Sequence, residues 1–291
     1  MNASSTAETA PLPEVDAGQA VELITAFIRS QVEQTGFARL VVGLSGGVDS
    51  ATVAFLAARA IGADNVLAVR MPYRSSSPAS ETDAQRVVTA LGCRTELVDI
   101  TPMVEPMLAL INGPDDGAVR VRAGNVMARQ RMIVLYDRSA AFDALVAGTS
   151  NKTEALLGYG TLHGDMAAAI APIGDLYKSQ LRAVAGLLGV PAEILAKPPS
   201  ADLWPGQTDE AKLGAGYDDL DRILFALVDR RWSVERCAAA GLDARLVAWV
   251  AERVARNEFK RQVPPVAKLS LRTPGIDHLY PRRRPGSRRG S

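Results

Sequence analysis

Apolar and polar positions along this chain alternate between two periods. Short, nearly continuous apolar runs at residues 38–44, 65–71, 95–100 and 144–147 predict strands. Between them, apolar residues recur at helical spacing. Val21, Leu23, Ile24, Phe27, Ile28 and Val32 mark an amphipathic opening helix, and further helices are expected over 48–61, 81–91 and 119–142. Thr101-Pro102 can start another helix, because Pro is favoured at the first helical position. Residues 112–117 form a turn cluster. Beyond the fourth strand the rhythm changes. A glycine-dotted loop over 158–174, a helix over 176–188 and a second long loop over 198–214 lead into helical runs at 217–228, 233–239 and 243–257. Strands alternating with helices predict an α/β fold, a doubly wound parallel sheet flanked by helices with right-handed crossovers. In such sheets ligands bind beyond the carboxyl ends of the strands. That rule gathers Ser45 to Ser50, Tyr73 to Ser77, and Gly148, Thr149 and Glu154 along one edge.

The stretch after the first strand carries the most chemistry. Ser45-Gly46-Gly47-Val48-Asp49-Ser50 stands between an apolar run and a helix start. Its two glycines allow a sharp turn and leave room for a phosphate. The helix N-terminus adds unpaired N–H groups and roughly half a positive charge. Asp49 makes sense in an anion site mainly as a metal ligand, so the stretch reads as a site for a polyphosphate and Mg2+. It is not a Walker A loop, which needs Gly-x-x-x-x-Gly-Lys, and it lacks the Gly-x-Gly-x-x-Gly of dinucleotide folds. The competing reading is an ordinary Gly/Ser turn. Glu154 could share one metal with Asp49 or could be a solvated residue at a helix start. Lys178 could neutralise phosphate charge or could snorkel at a helix start.

Bulk properties narrow the classes. With 291 residues and 47% apolar content the chain can bury a real core. A net charge of +1 implies no strong field toward nucleic acid or membranes. No apolar run is long enough to span a bilayer, and the start lacks a secretory signal. The two cysteines, Cys93 and Cys237, are isolated, which suits a reduced cytoplasmic protein. Only His163 and His278 are present, so a zinc site is not expected. The expected organisation is a disordered leader over 1–14, one domain over 15–262 and a Pro/Arg-rich tail over 263–291. The Arg282 to Arg289 cluster could touch RNA or an anionic surface, but a solvated end is the expectation.

The Ser-Gly-Gly-x-Asp-Ser string resembles the PP-loop of the ATP pyrophosphatases, which release AMP and pyrophosphate. Further strings carry the resemblance from about residue 21 to 265. They are Gly124-Asn125-Val126-Met127-Ala128-Arg129-Gln130-Arg131-Met132, the 148–154 segment ending in Glu154, the 172–180 segment holding Lys178, and the distinctive 197–210 loop. Together they look like the NAD synthetase family, in its ammonia-dependent form without a glutaminase domain.

The resemblance implies that Gly43, Leu44, Ser45, Gly46, Gly47, Val48, Asp49 and Ser50 hold the ATP phosphates. It implies that Asp49 and Glu154 bind Mg2+, that Thr149, Lys178 and Ser200 contact ATP, and that Arg129 and Lys260 lie at the deamido-NAD substrate. Asp49 and Lys178 are the expected catalytic pair. The implied reaction is ATP-dependent amidation of deamido-NAD by ammonia through an adenylated intermediate. A homodimer is implied too, with ammonia free or delivered by a separate glutaminase. Arg129 and Arg131 lie two apart on a helix and point different ways, so one could face the site while the other serves a structural or dimer contact. Three positions depart from the commoner pattern: Leu162 replaces a lysine, Ala169 an aspartate and Phe259 a histidine. These leave open amidation of nicotinate mononucleotide. A tRNA-modifying PP-loop enzyme is the alternative of another kind, although a basic RNA-binding domain and catalytic cysteines are missing.

Overall fold

The computed structural model describes residues 10–111, 113, 117–198 and 213–277. Helix α1 (Ala17–Thr35) opens under Asp16, whose carboxylate accepts the Gln19 N–H at 3.0 Å, and closes at Gly36 in the left-handed region with φ 76°. Strand β1 (Arg39–Gly43), helix α2 (Val48–Ile61), strand β2 (Val66–Arg70), helix α3 (Pro78–Leu91) and strand β3 (Arg94–Leu97) follow. Next come helices α4 (Thr101–Leu108) and α5 (Gly117–Phe142) and strand β4 (Ala144–Ala147).

All strand pairs are parallel and the order is β3-β2-β1-β4. The chain steps outward from β1 to β3, then returns past β1 to place β4. The order therefore reverses between β1 and β4, the place where ligands bind in doubly wound sheets. Both faces of β1 are covered, and Leu40, Val41 and Val42 are completely buried. Leu40, Val42 and Ala68 face a core shared with α1, α2 and α7 (Lys178–Leu188), while Val41, Leu67 and Val69 face α4 and α5. This is the two-residue alternation of a strand expressed on both sides of the sheet.

Three boundaries differ by three residues or more from those expected. Helix α3 starts at Pro78 rather than at residue 81, because Ser77 accepts the Ala79 N–H and Pro78 takes the first helical turn. Strand β3 stops at Leu97 rather than at residue 100. It is an edge strand paired only with β2, although Val98 and Ile100 still donate to Arg70 O and Pro72 O. Helix α9 (Tyr217–Leu224) ends short of residue 228 and continues as a wider turn over Phe225–Asp229.

Helices α6 (Lys152–Leu157), α8 (Ala192–Ala196), α9, α10 (Val234–Ala239) and α11 (Ala244–Arg256) complete the described chain. Leu157, Leu220, Leu224, Trp232 and Val247 form a separate apolar cluster that holds α6, α9, α10 and α11 together. Most of the 112–117 turn, residues 199–212 with Ser200, the leader through residue 9 and the Arg282 to Arg289 cluster lie outside the described residues. Among the described residues no helix is long and apolar enough to cross a membrane.

Candidate active site

The β1–α2 loop is knitted by its own serines. Ser45 N–H donates to Ser50 Oγ at 3.2 Å, Ser50 Oγ–H donates to Gly47 O at 3.0 Å, and the two hydroxyls lie 3.1 Å apart. Helix α2 begins after Gly47 with no side-chain cap, which leaves its first N–H groups pointing at whatever lies above the sheet. Gly46 is obligatory on two counts. Its φ is 75°, and a Cβ there would sit 2.1 Å from the backbone oxygen of Ser80 at the start of α3.

The β4–α6 connection arrives from the other side of the reversal. Gly148 runs close beside the chain at Ile170, to whose oxygen it donates at 2.8 Å, and a Cβ there would meet Ala168 at 2.7 Å. Asn151 then caps α6. Its Oδ1 accepts the Glu154 N–H at 3.0 Å, and Glu154 reaches back to the Asn151 N–H at 3.4 Å. The same Asn151 donates through Nδ2 to Asp49 Oδ1 at 2.7 Å, tying the two loops together.

Lys178 fills the point where both loops meet. Its Nζ pairs with Asp49 Oδ2 and with Glu154 Oε1, the latter at 3.2 Å, and lies 5.1 Å from the Tyr217 ring centroid. The residue is only 2% exposed. A lysine in the first turn of α7 opposes the helix dipole, so its placement there requires these two carboxylates.

A cavity of about 670 Å3 opens over this cluster, within the roughly 300–1,000 Å3 usual for small-molecule sites. Gly43, Leu44, Ser45, Gly47, Val48, Asp49, Ser50, Thr149, Glu154 and Lys178 all line it. Gly46 lies behind the wall, docking the loop on α3. Two expected substrate residues, Arg129 and Lys260, are not among those that line this cavity. Arg129 donates to Leu162 O at 3.3 Å, whereas it is Arg131 that lines the cavity, donating to Met71 O at 3.0 Å. Lys260 Nζ donates to Gly158 O and Gly160 O at 2.8 and 2.9 Å, clasping the loop after α6. Lys197 reaches the rim and bonds Asp83 Oδ2 at 2.9 Å and Ser80 Oγ at 3.1 Å. Asn151 was missed by sequence reasoning, though Asn-x-x-Glu before an apolar run is a capping signature. Lys197 opens the distinctive 197–210 loop but was given no role there, and Tyr217 carried no local signal.

Two carboxyls away from the ion cluster have raised pKa values. Asp165 lines the cavity and keeps an exposed surface there, with protein packed close behind it. Desolvation pushes its pKa up, against the Thr161 N–H and the charge of Lys260. Asp221 is completely buried, and desolvation likewise pushes its carboxyl above the usual 3.8, against the bonds from Thr153 and Ser179. The native state therefore holds this proton more tightly than the unfolded chain does. The Asp221 contribution to stability is greatest at acid pH and falls as pH rises from 3.8 through the native value. Thermal melts should show the gap between wild type and Asp221→Asn widening as pH is lowered from 7.5 toward 4. A narrowing gap would mean that the pKa is depressed.

A serine-knitted glycine loop beside two carboxylates and a lysine, at the reversal point of a parallel sheet, is the arrangement of an α/β protein with the PP-loop fold. Residues 20–264 match the family model described as NAD synthase, and the chain belongs to that family. It is 52% identical over 262 residues to the NH(3)-dependent NAD(+) synthetase of Chlorobium phaeovibrioides, covering 90% of this chain and 93% of that one. Among solved structures, an NMN synthetase from Francisella tularensis superposes with a TM-score of 0.75 at 28% identity, covering 88% of this chain and all of that one. The NH3-dependent NAD synthetase of Campylobacter jejuni, in complex with nitrate, gives a TM-score of 0.73 at 34% identity over 87% of this chain.

Proposed function

We propose that this protein converts deamido-NAD to NAD with ATP and ammonia, releasing AMP and pyrophosphate. A carboxylate does not react with ammonia, because oxide is a very poor leaving group. Transfer of AMP to the nicotinate carboxylate makes a mixed anhydride, and ammonia then displaces AMP to leave the amide. Charge builds on pyrophosphate as it departs in the first transfer. The uncapped N–H groups of α2 and the Lys178 ammonium, both at the cavity, would stabilise that charge. The observation that carries this reading is the convergence of Asp49, Glu154 and Lys178 beside the β1–α2 loop.

The donor set fits Mg2+. Two carboxylates already share one cation, and among the described residues no third His, Cys, Asp or Glu joins them. Mg2+ is commonly held by one or two carboxylates plus substrate phosphates, so Asp49 and Glu154 would hold it together with ATP. The ion would neutralise phosphate charge. Thr149 on the cavity wall would contact ATP, as would Ser200. Arg129 would act on the acceptor through the Leu162 carbonyl it supports, and Lys260 through the loop it clasps. We place the protein in the cytoplasm and infer a homodimer, the latter supported by the exposed Ile133 and Tyr136 on α5. One domain over 15–262 would carry the activity, with ammonia taken up free or from a separate glutaminase.

A second acceptor is favoured by a specific observation. Leu162 and Ala169 remove two charged groups from the expected dinucleotide site, and the fold superposes on an NMN synthetase. Purified protein incubated with ATP, magnesium, ammonium and either acceptor separates the readings. AMP and NAD should form with deamido-NAD. AMP and an amide formed only from nicotinate mononucleotide would support the second acceptor. ATP turnover with tRNA and with neither acceptor would sink both.

A further inference from the structure

One fully buried carboxylate lies behind the cluster and touches none of the cavity. Asp221 on α9 is 0% exposed. Its Oδ2 accepts the Ser179 N–H at 2.8 Å, and its Oδ1 accepts the Thr153 hydroxyl at 2.5 Å. Thr153 is equally buried, and its Oγ1 accepts the Lys178 N–H at 3.0 Å. Asp221 thereby joins three helices at two adjacent N–H groups. Thr153 immediately precedes Glu154, and Ser179 immediately follows Lys178. The two charged residues that meet over the cavity are therefore hung on backbone that a single carboxylate pins. One turn earlier on α9, the Tyr217 ring covers the Lys178 ammonium.

A helix cap does not need this arrangement. Ser, Thr or Asn satisfies the same N–H groups without taking a charge out of water. Asp221 brings negative charge to the first turn of α7, the end where the helix dipole favours it and where Lys178 opposes it. We propose that Asp221 is a positioning residue for the adenylation step, fixing Lys178 and Glu154 against each other through Thr153 and the first turn of α7. This rests on the reading that both residues meet the nucleotide.

Steady-state AMP formation tests it, and wild-type turnover reports separately on the proposed function. Asp221→Asn keeps the shape and one acceptor. It should lower kcat by about 10–100-fold, the usual loss when a supporting partner of a reactive group is removed, with less than about threefold change in acceptor KM. Thr153→Val removes only the hydroxyl link and should reproduce that loss. Thr153→Ser should return activity to within about threefold of wild type, and the double variant should fall no further than either single one. Near-UV circular dichroism would normalise each rate to folded protein. Full activity in Thr153→Val, multiplicative losses in the double variant, or losses that vanish on normalisation would each overturn the proposal.

Discussion

Lys178→Met is expected to lower AMP formation by about 10²–10³-fold, the loss typical of removing one preorganised charge-stabilising donor. Met keeps most of the volume, so the buried stem still packs. What disappears is the ammonium shared by Asp49 and Glu154. The two carboxylates then lose the lysine they share. Breaking a buried pair from one side costs about 3–5 kcal/mol, and the lower end applies here because both carboxylates keep some contact with the cavity. The same loss makes the site a better one for a divalent ion. In nucleotide-free protein, Mg2+ should therefore raise the melting temperature of Lys178→Met more than that of wild type. Asp49→Asn provides the opposite arm. It should also lose AMP formation, but its response to Mg2+ should be weaker than wild type. Thermal melts across a Mg2+ titration, with AMP assays alongside, check both. Retained AMP formation in either variant would refute the roles given to this pair.

Among the described glycines, Gly46→Ala is expected to be the most damaging added methyl, because the atom it would meet is backbone. A residue with a side chain pays about 1–2 kcal/mol to hold the left-handed conformation seen at φ 75°. The added Cβ would also stand 2.1 Å from Ser80 O, a backbone atom that no rotamer change can move. The β1–α2 loop must then shift relative to α3, carrying Ser45 and Asp49 with it. A displacement of about 1 Å commonly costs on the order of 10²-fold in rate, so AMP formation should fall at least that far along with the melting temperature. Gly47→Ala is the control. Gly47 has φ −92°, and a Cβ there would meet only Ser45 Oγ at 3.4 Å, an ordinary contact. Its melting temperature should stay near wild type, leaving its activity to report on ligand approach alone. Equal behaviour of the two variants would mean that the loop does not dock on Ser80.

Elements with strong local signals were legible in the chain. Helix α2 and strand β4 have the boundaries expected, because Gly47, Gly62 and a run buried on both faces punctuate them. The start of α3 was not recognised, since Ser77-Pro78 sits inside a Pro/Ser stretch that also reads as loop. Glu154 could be brought toward Asp49 only through the rule that ligands gather at the carboxyl ends of parallel strands. Of the residues that rule gathers, Ser45, Ser50, Ser76, Ser77, Gly148, Thr149 and Glu154 line the cavity. Spacing left open which of Arg129 and Arg131 faces the site, and in the structure Arg131 lines the cavity.

By itself the sequence determined the alternation of strands and helices, the glycine loop and the carboxylates and lysine that suit phosphate chemistry. The alternation, the loop and Asp49 follow from residue type and short spacing, which act over a few neighbours; Glu154 came from the strand-end rule and Lys178 from the family resemblance. Only the tertiary structure decided that Lys178 sits between Asp49 and Glu154, that Gly46 abuts Ser80, and that Asp221 holds α6 and α7 from behind. Those contacts join residues far apart in the chain. They arise when sheet order and core packing bring separate helices together, and no local period encodes which buried groups will then meet.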